Sequence, residues 1–458
     1  MIRSKKIAIF GFGKEGVSAA NYLGHRNQIT IFEKKQETQI DKSLFKKLKV
    51  KGVNFYFGDS FDKNLEFDLI IRSPGVRPDN KYILFLERLG AKVTSSTKIF
   101  FLYCPCKIIG VTGTKGKGTT STLIYKFLKT KYKDVFLAGN IGTPMLQILP
   151  KLKKDSLVIL ELSSFQLIDL DFSPYIAVIL MITTEHLDWH KDQKEYYRAK
   201  ESIVSHQTGS DYAIINFDYE KSRQFAKKTK AHTYFFSTRA RTNGVYVEGD
   251  NLISEIGQKE IICKTSKILL PGRHNLQNVA AAVCVAKIFD VNRSKTFKIV
   301  STFKGLKHRL QLVGEINGVK YYNDSFSTIP ETAVAAIESF SQPKILILGG
   351  SSKNSDFSTL AKKISKDETL KALILIGSEA KTIKNAIIEA GGFQGNVIQN
   401  PKDMKEIVES AANFASWGDV VILSPACASF DMFKNYQDRG QKFTHEVQKL
   451  NKKPQREK

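Results

Sequence analysis

The sequence predicts an α/β protein laid out in three consecutive units. Three observations carry this prediction. Short apolar runs of strand length alternate with helical stretches along the chain, the pattern of a mainly parallel sheet. Two of these runs end in glycine-rich turns that open a helix, GFGKEG at 11–16 and GTKGKGTT at 113–120. The 458 residues, 42% hydrophobic and 25% charged, have globular proportions. At roughly 100–200 residues per domain, that length suggests two to four domains.

In the first unit, 6–10 is a short strand, 11–16 the glycine turn and 17–23 a helical stretch. Strands are expected at 28–32, followed by Glu33, and at 67–71, followed by RSPG at 72–75. The second unit opens with a strand at 107–111 that runs into glycines, and continues with strands at 135–137, 157–162, 176–181 and 212–216. Alternating apolar residues over 233–270 predict antiparallel strands, and 274–289 reads as an Ala-rich helix. The third unit, from about 302, holds strands at 320–323, 344–348, 372–376 and 420–423, with helices between them such as 331–340. The closing NKKPQREK reads as a frayed tail.

Composition excludes several classes. No apolar run reaches the roughly 20 residues that span a bilayer. The basic start MIRSKKIAIFGFG is broken by glycines and has no small-residue cleavage site, so a secretory signal is not expected. The five cysteines, Cys104, Cys106, Cys263, Cys284 and Cys427, are sparse and odd in number. They read as reduced structural residues of a cytoplasmic protein. The net charge of +25 permits polyanion binding, yet the lysines are scattered, with no basic tail and no nucleic-acid module.

KIIGVTGTKGKGTTSTLIYKFL at 107–128 is the most informative segment. A buried strand, a glycine loop with a lysine and then a helix place successive backbone N–H groups around phosphate oxygens. Lys117 reaches the transferred phosphate, and a hydroxyl just after it ligates Mg²⁺. Two residues separate Gly113 from Gly116, where the commonest phosphate loop has four. A structural turn would account for the glycines but not for the lysine and the hydroxyls. GFGKEG, with Glu33 downstream, fits a dinucleotide fingerprint, although a plain strand–helix turn needs the same residues. In LELSSFQL at 160–167, Glu161 ends an apolar strand, where α/β sheets place ligand-binding residues. In TTEHLDWH at 183–190, His186 is a candidate metal or phosphate contact, and the residues alone do not rank it above His190 or Asp188. KGLKHRLQ at 304–311, YYNDSFSTIPE at 321–331, LGGSSKNSDF at 348–357 and SPACASFDMFKNYQDRG at 424–440 are polar loops at strand ends.

Taken in order, GTKGKGTT, NIGTP at 140–144, LELSSFQL, TTEHLDWH, YYRAK at 196–200, GRHNLQN at 272–278, KHR, YYNDS, GGSSKNSDF and SPACASFDMFKN resemble the Mur ligases, in particular the D-glutamate-adding branch. The resemblance covers nearly the whole chain. It implies a Rossmann-like UDP-substrate domain at 1–103, a central P-loop ATP-binding domain at 104–301 and a C-terminal Rossmann-like amino-acid-binding domain at 302–458. The implied reaction joins UDP-N-acetylmuramoyl-L-alanine to D-glutamate through an acyl phosphate, with ATP and two Mg²⁺, for peptidoglycan precursors. Domain closure would shield the intermediate from water. A cytoplasmic monomer is expected, with small-molecule substrates, no nucleic acid and no membrane insertion.

The same resemblance assigns residues. Lys14, Glu15, Glu33, Lys34, Ser73 and Gly75 line the uridine nucleotide. Gly113, Thr114, Lys115, Gly116, Lys117, Gly118, Thr119, Thr120, Asn140, Asn275, Asn278, Arg309 and Asp324 contact ATP. Thr119, Glu161, His186 and Lys200 hold metal, Lys200 as a carbamate, and Lys117, His186 and Lys200 are catalytic. Thr328, Lys353, Ser429 and Tyr436 surround the incoming amino acid. CO₂ adds only to a neutral amine, so Lys200 requires surroundings that lower its pKa. The chain departs from the family pattern in three places: Lys115 stands for an asparagine, Gly118 displaces the hydroxyl to Thr119, and Phe326 stands where a lysine is usual. The Lys117–Gly118 order resembles folylpolyglutamate synthetase. A reading from another class, an NAD-dependent oxidoreductase, rests on GFGKEG alone and leaves the 113–120 loop without a role.

Overall fold

The structure, a computed structural model, describes residues 2–59, 65–352 and 355–450. The chain divides into two compact units, Met1–Thr265 with Gln277–Ile299, and Ser266–Leu276 with Val300–Lys458.

The first unit carries two sheets. One has five parallel strands in the order Asn54–Phe57, Gln28–Glu33, Lys6–Phe10, Leu69–Arg72, Lys92–Ser95. The first strand sits in the middle, so the chain reverses its winding direction beside it. In such sheets ligands lie beyond the carboxyl ends of the strands at that reversal. The two outermost strands were not foreseen. They are short edge elements, and Asn54–Phe57 has no fully buried residue, so the local pattern is weak. The expected strand at 67–71 is Leu69–Arg72. It runs one residue further because Arg72 is buried against a carboxylate instead of facing water.

The second sheet has nine strands. Its parallel heart runs Val135–Gly139, Leu157–Glu161, Lys107–Thr112, Ile176–Ile179, Tyr212–Asn216 and His232–Ser237. Leu157–Glu161 and Ile176–Ile179 are buried along their whole length, as expected for strands covered on both faces. The stretch 233–270 is antiparallel only in part. His232–Ser237 joins the parallel run, Val245–Glu248 pairs parallel to it over two residues, and Asn251–Ser254 and Glu260–Lys264 then complete an antiparallel meander. Alternation reports which face of a strand is buried, not the direction of its neighbour. The Ala-rich helix is Arg273–Ile288, and the division between the units falls after its Leu276.

The second unit is built on a six-stranded sheet, Gln311–Ile316, Val319–Asn323, Val420–Leu423, Lys344–Gly349, Leu370–Ile376, Asn396–Gln399, antiparallel only at its first pair. Two buried clusters lie on its opposite faces, one including Leu346, Leu348 and Leu373, the other Ile345, Ile347 and Ile374. Among the described residues no helix is long and apolar enough to cross a membrane.

Candidate active site

The central glycine loop forms at the carboxyl end of Lys107–Thr112 and leads into the helix Lys117–Lys129. Gly116 caps that helix with φ +87°, and a Cβ there would lie 2.2 Å from Asn278 Oδ1. Only glycine satisfies both demands. Gly116 has no side chain to cap the helix, which favours an anion at its first amides. Thr114 anchors the loop: its hydroxyl donates to Thr183 O at 2.9 Å and lies 2.9 Å from the Tyr196 hydroxyl. The Lys117 ammonium donates to Gly113 O at 2.9 Å and Thr114 O at 3.0 Å, so it lies across the loop. Thr119, half-buried, sits in the first helical turn beside buried Gly118. Thr120 is fully buried and donates to Asn278 Oδ1 at 3.4 Å.

Neighbouring strand ends supply the rest. Glu161 closes Leu157–Glu161, 5% exposed, with Oε1 accepting from Asn140 Nδ2 at 2.8 Å. Lys200 lies on the helix Gln193–Ser205, 2% exposed, and its ammonium donates to Gly113 O at 3.0 Å and Thr112 Oγ1 at 3.3 Å. Burial, reinforced by the charge of Lys117, holds its pKa well below that of an ordinary lysine. This is the condition that the expected carbamate sets.

The structure separates the two histidines that the residues alone left unranked. His190 is buried, its Nδ1 3.3 Å from Glu195 Oε2 and its Nε2 2.9 Å from Ser164 Oγ. Both ring nitrogens are engaged internally. His186 is partly exposed, in the left-handed region at φ +59°, its ring against Phe165 and its Nε2 3.5 Å from Glu185 Oε2. Burial depresses its pKa, with Lys117 adding to the effect against the opposing charge of Glu185.

Sequence reasoning passed over Glu185 itself. Burial raises its carboxyl pKa, but the Lys115 ammonium bonded to it and the charges of His186 and Lys117 outweigh that and leave it below the usual range. Lys115, the departure from the family asparagine, is therefore the ion-pair partner of Glu185. The position of Glu185 directly before His186 in a strand-end loop was the available signal.

A cavity of about 1300 Å³ extends from the N-terminal glycine turn to the ends of the strands Val135–Gly139 and Leu157–Glu161. Every residue expected around the uridine nucleotide lines it: Lys14, Glu15, Glu33, Lys34, Ser73 and Gly75. So do Asn140 and Ser163 from the central sheet. The GFGKEG turn is tight because Gly16 packs on Gly11, where a Cβ would lie 2.0 Å from the Gly11 carbonyl oxygen. Glu33 braces the turn, accepting from Phe12 N at 2.7 Å and Lys35 N at 3.0 Å. Burial pushes the Glu15 carboxyl up to about 7 against a hydrogen bond from Gln166 Nε2 at 3.3 Å. Arg72, wholly buried, ties the two sheets together through Asp169 and the Phe165 carbonyl. Arg77 bonds Glu195 and stacks on Trp189.

The second unit gathers the loops expected to meet nucleotide and amino acid. Asp324 accepts from Leu310 N at 3.0 Å and Ser424 Oγ at 2.8 Å, and also from Ser327 Oγ. Burial lifts its carboxyl to about 6 despite these donors. The Arg309 guanidinium lies 3.9 Å from the centre of the Phe326 ring, which meets Tyr436 edge-on at 5.1 Å. Phe326 thus gives Arg309 an aromatic face in place of a second cation. Ser429 is buried and Thr328 half-buried. Asn275 donates to Pro271 O at 2.7 Å. Lys353 lies outside the described residues. Arg439, missed in the sequence, is fully buried and binds Ser325, Cys427 and Ala428, holding the NDS and SPACAS loops side by side.

Comparison with known proteins gives these loops their context. Residues 111–286 match the Mur ligase middle domain and residues 308–427 the Mur ligase glutamate ligase domain. The chain is 39% identical to the UDP-N-acetylmuramoylalanine–D-glutamate ligase of Acetivibrio thermocellus, over 98% of this chain and 97% of that one. It is 37% identical to the enzyme of the same name from Clostridium tetani, over 98% of each. The chain belongs to the Mur ligase family. Solved members share its fold. MurF from Acinetobacter baumannii superposes with a TM-score of 0.60 at 16% identity, covering 97% of this chain and 93% of that one. MurF from Thermotoga maritima, in complex with ADP, gives 0.57 at 17%, covering 98% and 96%. Three α/β sheets in this Mur ligase agree with the fold class expected from the sequence.

Proposed function

We propose that this Mur ligase joins D-glutamate to UDP-N-acetylmuramoyl-L-alanine at the expense of ATP, as its relatives' names describe, in peptidoglycan precursor synthesis. The observation that carries the proposal is the continuity of one cavity from the N-terminal glycine turn to Asn140, which bonds Glu161 on the strand paired with the one that runs into the Lys117 loop. A UDP-sugar seated on the turn directs its acyl end toward that loop. The domains are 1–103 for the UDP-substrate, 104–301 for ATP and 302–458 for the amino acid.

The loop amides and Lys117 bind the triphosphate, for which phosphate oxygens are stronger acceptors than the two carbonyls Lys117 now holds. The substrate carboxylate attacks the γ-phosphate in line, giving an acyl phosphate and ADP. The glutamate amine, carried by the loops of Thr328, Lys353, Ser429 and Tyr436, then attacks the acyl carbon and phosphate leaves.

The donor types around the loop suit Mg²⁺: a carboxylate, a hydroxyl, an imidazole and a buried amine of lowered pKa that would add oxygen ligands as a carbamate. Thr119, Glu161, His186 and carbamylated Lys200 would hold two ions. When bound, Mg²⁺ neutralises charge as the carboxylate and the triphosphate approach one another. Lys115 and Glu185 keep the loop mouth electrically balanced before substrate arrives. The enzyme works as a cytoplasmic monomer.

The test is a coupled assay. ADP release should require both UDP-N-acetylmuramoyl-L-alanine and D-glutamate, and the product should have the mass of one added glutamate. Turnover with another amino acid and not with D-glutamate would overturn the assignment of the acceptor. NADH formation would restore the oxidoreductase reading.

A further inference from the structure

Outside the site, the link between the two sheets of the first unit holds a pair of thiols. The helix Ser96–Tyr103 ends at Cys104, Pro105 follows, and Cys106 immediately precedes the strand Lys107–Thr112, which runs into the nucleotide loop. The two sulfurs are 3.6 Å apart, and Cys104 Sγ also lies 3.6 Å from the Cys106 carbonyl oxygen. Both residues are partly exposed, next to exposed Leu102, Tyr103 and Pro105. The other three cysteines, Cys263, Cys284 and Cys427, are buried and fit the structural role the sequence suggested for all five.

We propose that Cys104 and Cys106 form a reversible dithiol, a modification site that low-molecular-weight disulfides oxidise to an intramolecular disulfide. The geometry permits closure. Residues i and i+2 have Cα atoms roughly 5–7 Å apart, which overlaps the range of roughly 4.4–6.8 Å that disulfides span. The sulfurs already touch at 3.6 Å, so closure requires only their further approach. Pro105 restricts the backbone between them, so little freedom is lost when the small ring closes.

The chemistry assigns an order to the two sulfurs. Cys104 is the attacking thiol. Either sulfur can donate in the contact between them, and with Cys106 as donor that contact favours the Cys104 thiolate over the opposing effect of burial. The same bond, burial and the charge of Asp155 push Cys106 up. The Cys104 thiolate attacks one sulfur of the oxidant, forming a mixed disulfide and releasing one thiolate. Cys106, on losing its proton, attacks Cys104 Sγ and expels the second thiolate. The two cysteine protons end on the two released thiols, and the two electrons lost by the pair reduce the oxidant's S–S bond.

The experiment uses the full chain with oxidised glutathione, followed by an iodoacetamide quench and peptide mass mapping. In the wild-type protein, the peptide bearing residues 104–106 should lose about 2 Da and both alkylation sites. Dithiothreitol should restore them. Cys106→Ser should stop at one glutathione on Cys104, and Cys104→Ser should leave Cys106 alkylatable. A wild-type pair that is still alkylated twice, or that keeps stable glutathione adducts without the internal bond, would overturn the proposal. Ligase activity does not enter this readout, so the result is independent of the assigned reaction.

Discussion

The ammonium of Lys200 lies 3.0 Å from the carbonyl oxygen of Gly113, so a helix lysine reaches the first glycine of the nucleotide loop across 87 residues of sequence. Among the described residues no carboxylate bonds it there, and the charges of Glu185 and Glu161 reach it only through space. It is buried, faces Thr112 Oγ1 and a carbonyl, and feels Lys117 nearby. An amine in this position is biased toward its neutral form, the form that captures CO₂.

Lys200→Ala should lower kcat by on the order of 10²–10³-fold, the loss seen when one preorganised charge-stabilising group is removed. Added bicarbonate should not restore the variant, whereas a short-chain carboxylate that fills the vacated space should do so in part. In the wild-type enzyme, stripping CO₂ should lower activity and returning it should recover it. A Lys200→Ala enzyme running at wild-type rate would remove the carbamate from the mechanism.

Glu15 lends the proposed UDP cavity a pH dependence. Its pKa near 7 means that it is neutral below that pH and anionic above it. An anion in a pocket for a diphosphate repels the ligand. KM for the UDP-substrate should therefore rise above pH 7, by up to about tenfold per pH unit, and stay level below it. Glu15→Gln should flatten the profile. A KM independent of pH between 6 and 8.5 in the wild type would show that the carboxyl does not face the phosphates.

Asp169→Ala should destabilise the protein by about 3–5 kcal/mol, because it strands the buried Arg72 guanidinium without its carboxylate. Arg72 is wholly enclosed and Asp169 is 21% exposed, so water cannot replace the lost partner fully. Thermal unfolding of the purified variant reads this directly. An unchanged Tm would mean that the carbonyls of Ser73, Val76 and Phe165 satisfy Arg72 by themselves.

Gly116→Ala should strain the central loop by about 1–3 kcal/mol through its left-handed backbone and also displace Asn278. ATP affinity should fall by about tenfold or more, as measured by calorimetry. Gly209→Ala, where an added Cβ meets nothing within 4 Å, should bind ATP normally.

Much of this protein is written locally. Apolar runs ending in glycines located the strands Lys6–Phe10 and Lys107–Thr112 and the two turns behind them, because backbone conformation and phosphate-binding amides depend on adjacent residues. Motif order along the chain identified the family and the residues that line the cavity. The direction of His232–Ser237 and the weakly patterned edge strands were not local, since pairing depends on which distant segment arrives alongside.

The tertiary structure alone decided the chemical state of the key groups. It enclosed His190 between Glu195 and Ser164 while leaving His186 partly exposed, and it buried Lys200 so that its pKa falls well below that of an ordinary lysine. It also set Arg72 against Asp169, 97 residues away, and Arg439 against Ser325, 114 away. Desolvation and charge pairing act through space, and a residue's protonation and reactivity follow from the neighbours that folding brings to it.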